Sequence, residues 1–115
     1  MARYAKLNDI ENEILPMVVK IMEDHDGKEK AITNSMLREQ LTDMGYQDVG
    51  QVRMRKIINF IRNNYILICL KGCNFGYYLT TDTEEIKAYI TSLIDREAAI
   101  RHTRQTIERQ LQMLL

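Results

Sequence analysis

The chain has no apolar run near the roughly 18 residues that a bilayer span needs. Its first residues, MARYAKLNDIE, lack a signal-peptide core. A cytoplasmic location and no membrane partner are therefore expected. Cysteine is scarce too: Cys69 and Cys73 stand as CxxxC, without a second pair or a histidine cluster, so no metal site is expected. They read as reduced thiols, Cys69 in a buried strand and Cys73 in a loop. His25 and His102 are each isolated from any nucleophile. KGCNFG (residues 71–76) matches neither Gly-rich phosphate loop. These absences argue against an enzyme, a cofactor or a small-molecule substrate. Net charge is absent as well: 16 basic residues balance 16 acidic ones. A strongly nonspecific nucleic-acid binder is usually basic overall, so any such role has to rest on local charge.

What is present is a soluble composition, 45% hydrophobic and 28% charged over 115 residues, enough for one modest core. The most informative stretch is DVGQVRMRKIINFIRNN (48–64). Met54, Ile57, Ile58 and Ile61 have the spacing of one buried helix stripe, with Val52 at its edge. Asp48 and Gln51 have the form of a capping box, which predicts a helix over 49–64. Off the stripe lie Gln51, Arg53, Arg55, Lys56, Asn59, Arg62 and Asn63, four of them cationic and none acidic. Lys and Arg bind phosphates; Arg, Asn and Gln also pair with guanine and adenine edges. The pattern predicts a recognition helix for double-stranded DNA. It further predicts that Arg53 and Lys56, lying off the stripe, are replaceable by alanine without moving the thermal transition while DNA binding is lost.

Asn8 with Glu11 predicts the cap of a first helix, whose apolar set is Ile14, Met17, Val18 and Ile21. Pro16 falls inside it and predicts a kink there or a regular helix starting near Leu15. DHDGKEK (24–30) reads as a turn, and Ala31–Thr33 as a short third sheet strand. Thr33 caps a second helix with stripe Leu37, Leu41 and Met44, Met36 beside it and Gly45 as its stop. Only Tyr46, Gln47 and Asp48 separate Gly45 from the basic helix, a helix-turn-helix plan. Tyr65–Leu70 and Gly76–Thr80 read as strands around a loop at 71–75, a hairpin over 66–80 with Lys71 and Asn74 at its tip. A helix-turn-helix followed by a hairpin is the winged-helix arrangement, its hairpin lying against the phosphate backbone.

No proline or glycine occurs from residue 77 to 115, and Thr81 or Asp82 can cap a final helix of about 33 residues. Acidic residues at 82, 84 and 85 suit its dipole. Ile86, Leu93, Ile100, Ile107 and Leu114 recur every seven residues; Ile90, Glu97, Arg104 and Leu111 form the second seam of a heptad. The part before Ala98 is wide enough to cover a core. Beyond it the stripe narrows, and Ile100, Arg104, Ile107, Leu111 and Leu114 predict a homodimer seam. Glu97 and Arg104 interrupt the seam in a way that weakens a parallel pair and suits an antiparallel one. The chain is thus read as mainly helical α+β: a winged helix-turn-helix core over 8–81 and a long C-terminal helix over 82–115.

AIT (31–33), SMLREQL (35–41), MRKIINFIRNN (54–64), ILIC (66–69), GYYL (76–79) and TEEIKAYITSLIDR (83–96) together resemble, over roughly residues 14–100, small winged helix-turn-helix proteins of bacteriophages and prophages. The turn GYQDVG and the bulky loop LKGCNF depart from that family's short polar turn and Ser-rich loop. The resemblance implies the winged-helix fold and DNA binding, as a regulator or near replication. The competing expectation is a protein-interaction or dimerisation module on a winged-helix scaffold with no DNA binding of its own.

Overall fold

The cap at Asn8 forms in both directions: its side chain accepts from the Glu11 N–H at 2.9 Å, and the Glu11 carboxylate accepts from the Asn8 N–H at 2.9 Å. Helix α1 (Asp9–Met22) follows in the computed structural model, which describes residues 6–67, 70–73 and 76–115. Pro16 stands inside α1 rather than near its start. It has no N–H to give the Asn12 carbonyl, a lost helical hydrogen bond. Buried Ile14, Val18, Ile21 and Met22 hold the helix on both sides of that gap.

Residues 24–30 turn the chain through a 3-10 segment (Lys28–Lys30). Thr33 then caps α2 (Asn34–Asp43), accepting from the Met36 N–H at 3.1 Å. Only Leu37 and Leu41 of α2 are buried; Met44 and Met36 are about half exposed. The predicted stripe was one residue too long, because Met44 is already the cap. Gly45, at φ 97°, ends the helix. The Tyr46 N–H reaches the Leu41 carbonyl and the Gly45 N–H the Thr42 carbonyl, the paired bonds of a Schellman stop.

Helix α3 (Gln51–Asn63) begins two residues later than predicted. Asp48 does not cap it: its backbone sits at φ 60°, and Gly50 is the N-cap without a side-chain bond. The stripe Met54, Ile57, Ile58 and Ile61 is buried as predicted, and Val52 is exposed. The end of α3 explains a displaced strand. Tyr65 takes the left-handed conformation at φ 58°, and the Ile66 N–H reaches back to the Ile61 carbonyl, a second Schellman stop made without glycine. Residues 65–67 are therefore turn, not strand.

Strand β1 (Leu70–Cys73) pairs antiparallel with β2 (Gly76–Leu79), Leu70 opposite Leu79 and Cys73 opposite Gly76. Lys71 and Cys73 thus belong to the strand rather than to the loop in which they were expected. Cys69 and Asn74 lie outside the described residues. The predicted third strand is reduced to one antiparallel bridge, Ile32 with Tyr77, closed by N–H···O bonds of 2.9 and 2.7 Å. Gly76 makes this approach feasible: at φ 115°, a Cβ there would meet the Ile32 carbonyl oxygen at 2.3 Å. One core joins the elements, with Val18, Met22, Ile32, Leu37, Leu41, Met54, Ile57, Ile61 and Leu70 all nearly inaccessible.

The chain divides into two compact units, one ending at Thr81 and the other running Asp82–Leu115. In the second, Asp82 caps α4 (Thr83–Leu114), accepting from the Glu84 and Glu85 N–H groups. This helix is 32 residues long, or about 48 Å at ~1.5 Å per residue. None of its residues is buried. Among the described residues the protein is therefore mainly helical, with a two-stranded antiparallel sheet and a long C-terminal helix.

Candidate nucleic-acid interface

Glu11 does more than cap α1. Only 3% exposed, it faces α3. Its Oε1 accepts from Lys56 Nζ at 2.7 Å as well as from the Asn8 N–H, and its Oε2 accepts from Arg53 Nε at 3.3 Å. Arg53 Nη1 also donates to the Asp48 carbonyl at 2.6 Å. One buried carboxylate thus ties the start of α1 to the first part of α3, and Arg53 links both to the turn before α3. Burial alone pushes the Glu11 carboxyl upward; Lys56, the Asn8 N–H and Arg53 outweigh it and hold the group below its ordinary value.

This geometry corrects the picture of a helix with four free cations. The Arg53 and Lys56 side chains are 25% and 31% exposed and share one counter-charge, leaving a net single positive charge at that end of the site. Lying off the apolar stripe does not leave them without structural contacts, so their replacement is expected to change stability. Sequence pattern missed this because Glu11 lies 42 and 45 residues from its two partners. The one available signal was an acidic residue in a capping position of a chain whose basic helix has no acid of its own.

The other site residues separate into two groups. Arg62 braces the hairpin, donating from Nε to the Leu70 carbonyl at 2.8 Å and from Nη1 to Asn59 Oδ1 at 3.1 Å. Asn63 is half-buried beside it. Lys71 lies on β1 with its ammonium 5.8 Å from the centre of the Tyr78 ring. Gln51, Arg55 and Asn59, by contrast, are exposed, and their four-residue spacing makes one ridge along α3. Arg55 has no ion-pair partner among the described residues.

A polar corner at the start of this ridge was not foreseen. Asn34 Nδ2 donates to the Gln51 carbonyl and the Tyr77 hydroxyl, each at 3.3 Å, and Arg38 Nε donates to Asn34 Oδ1 at 2.7 Å. The first residue of α2 thereby ties the start of α3 to β2 and places a further guanidinium at that end.

On α4, Ile100, Ile107, Leu111 and Leu114 are exposed, and Arg104 pairs with Glu108 one turn on. The His25 imidazole contacts the Lys30 carbonyl through Nδ1 at 2.5 Å. Among the described residues, no three His, Cys, Asp or Glu side chains gather to hold a metal, and no helix is long and apolar enough to cross a membrane. No protein-family model, curated protein or solved structure matches this chain.

Proposed function

We propose that residues 8–81 form a winged helix-turn-helix module that binds double-stranded DNA, with α3 entering the major groove and the β1–β2 hairpin against the adjacent backbone. The observation that carries this reading is the ridge Gln51, Arg55 and Asn59. It is exposed and lies on a helix without acidic residues, whose opposite side is core. Gln51 and Asn59 offer amides suited to adenine, and Arg55 a fork suited to guanine or to phosphate. Arg53 and Lys56 hold α3 at a fixed angle through Glu11 and add one net positive charge nearby. Arg62 and Lys71 position the hairpin. The protein has no catalytic role in this reading.

Titrating the full chain against labelled random-sequence duplexes by fluorescence anisotropy tests it. With two or three phosphates neutralised, log K falls with log salt at a slope of about −2 to −3. Arg55→Ala weakens binding by about tenfold and leaves thermal stability unchanged, because its exposed side chain makes no ion pair among the described residues. A chain that binds no duplex at low salt, or binds equally well after Arg55→Ala and Asn59→Ala together, overturns the reading. The exposed apolar series of α4 favours a second role in protein pairing.

A further inference from the structure

Helix α4 leaves one seam uncovered. Ile90, Leu93, Ile100, Ile107, Leu111 and Leu114 fall on its two heptad positions and are between 43% and 84% exposed. Helices in proteins draw most of their stability from packing an apolar face, and no residue of α4 is buried. We propose that a second copy of this chain covers the seam, with the two α4 helices running antiparallel.

Charge sets the direction. In a parallel pair, Glu97 meets Glu97 of the second copy and Arg104 meets Arg104, two like-charge layers inside the seam. An antiparallel pair with its two-fold axis level with residue 102 has no like-charge layer. It sets Ile90 against Leu114, Leu93 against Leu111, Glu97 against Ile107, and Ile100 against Arg104 of the other copy. Each Glu97 then stands three residues, about 4.5 Å along the axis, from the opposing Arg104. Two opposite-charge pairs flank the two-fold axis, and fully apolar layers close both ends. Among the described residues of one chain these groups are engaged locally, Glu97 with Arg101 at 3.8 Å and Arg104 with Glu108. All four side chains are more than half exposed, so the local pairs are weak and exchange readily. The pairing does not depend on DNA binding, and its test contains no DNA.

Sedimentation equilibrium of the full chain across the micromolar range reads the association directly. The unsubstituted chain is expected to be in monomer–dimer equilibrium. Glu97→Arg or Arg104→Glu alone weakens the dimer by about tenfold, and the two together restore it to within about threefold. Direction is read by mixing chains carrying Leu93→Cys with chains carrying Leu111→Cys under mild oxidation, then mapping the linked peptides by mass. The unsubstituted chain reports any linkage through Cys69 and Cys73. Linkage between positions 93 and 111, found only in the mixture, supports the antiparallel pair. A chain that stays monomeric, a double charge swap that restores nothing, or linkage of position 93 to itself overturns it.

Discussion

Glu11 and Glu97 make the same kind of contact in opposite surroundings. Each is a glutamate beside an arginine, at 3.3 Å in the first unit and 3.8 Å on α4. The Glu11 side chain is 4% exposed, whereas that of Glu97 is 71% exposed. A buried carboxylate has lost its water and must keep every partner it has; an exposed one exchanges partner for solvent at almost no cost. The first contact therefore builds the fold, joining α1, α3 and the turn between α2 and α3. The second decorates one helix and stays open to another partner. The basic residues of α3 belong to both classes at once: Arg53 and Lys56 share the buried carboxylate, while Arg55 is exposed and has no ion-pair partner among the described residues.

The most severe way to test that contrast is to strip the cations from Glu11. Arg53→Ala with Lys56→Ala leaves a buried carboxylate with only the Asn8 N–H, and removing the partners of a buried charge costs about 3–5 kcal/mol. Urea denaturation at neutral pH measures the loss. A change below about 1 kcal/mol would make the cluster no different from the exposed pairs of α4. Any loss of the proposed DNA binding in this variant has to be read beside its stability, which is why Arg55 is the better probe of the proposed interface.

Acid provides the second test. The Glu11 carboxyl is held below its ordinary value of 4.5, so the folded chain takes up its proton less readily than the unfolded one. Its stabilisation is complete above the unfolded value and is lost as pH falls below 4.5 and through the folded value. Glu11→Gln keeps the shape and removes the charge. It is expected to cost about 2 kcal/mol at neutral pH, the order of a charge-assisted hydrogen bond. The loss is smaller than in the double cation variant, because Arg53 and Lys56 retain partial access to water. The variant's stability should fall less steeply than the parent's as pH drops below 4.5. Equal slopes in the two proteins would assign the acid sensitivity to other carboxylates.

Local signals in the sequence are what the structure repeats most faithfully. Asn8 and Thr33 cap the helices they were expected to cap, Asp82 rather than Thr81 caps α4, Gly45 stops α2, and the α3 stripe Met54, Ile57, Ile58 and Ile61 is buried. Each of these depends on residues within one or two turns of one another. The misreadings come from backbone states that residue type does not announce and from long-range pairing. Tyr65 and Asp48 adopt left-handed conformations usually signalled by glycine, which delays both β1 and α3. The site was half legible for the same reason: the exposed ridge 51–55–59 follows from helical spacing, whereas the Glu11 cluster requires knowing which helices touch.

The smallest expected effect lies at the other end of the comparison. Lys87 pairs with Glu84 at 3.4 Å on α4, the two side chains 71% and 83% exposed. The pair draws little from Coulomb attraction in water, and Lys87 stands near the positive end of the helix dipole, which offsets part of that gain. Alanine also has the higher helix propensity. Lys87→Ala should therefore leave unfolding free energy within about 0.5 kcal/mol of the parent. Whatever difference remains should shrink further as salt is added, since screening acts first on exposed charges. A larger and salt-resistant loss would show that Lys87 is held in a drier setting than its exposure indicates, and the line between the structural carboxylate of α1 and the solvated charges of α4 would have to be drawn elsewhere.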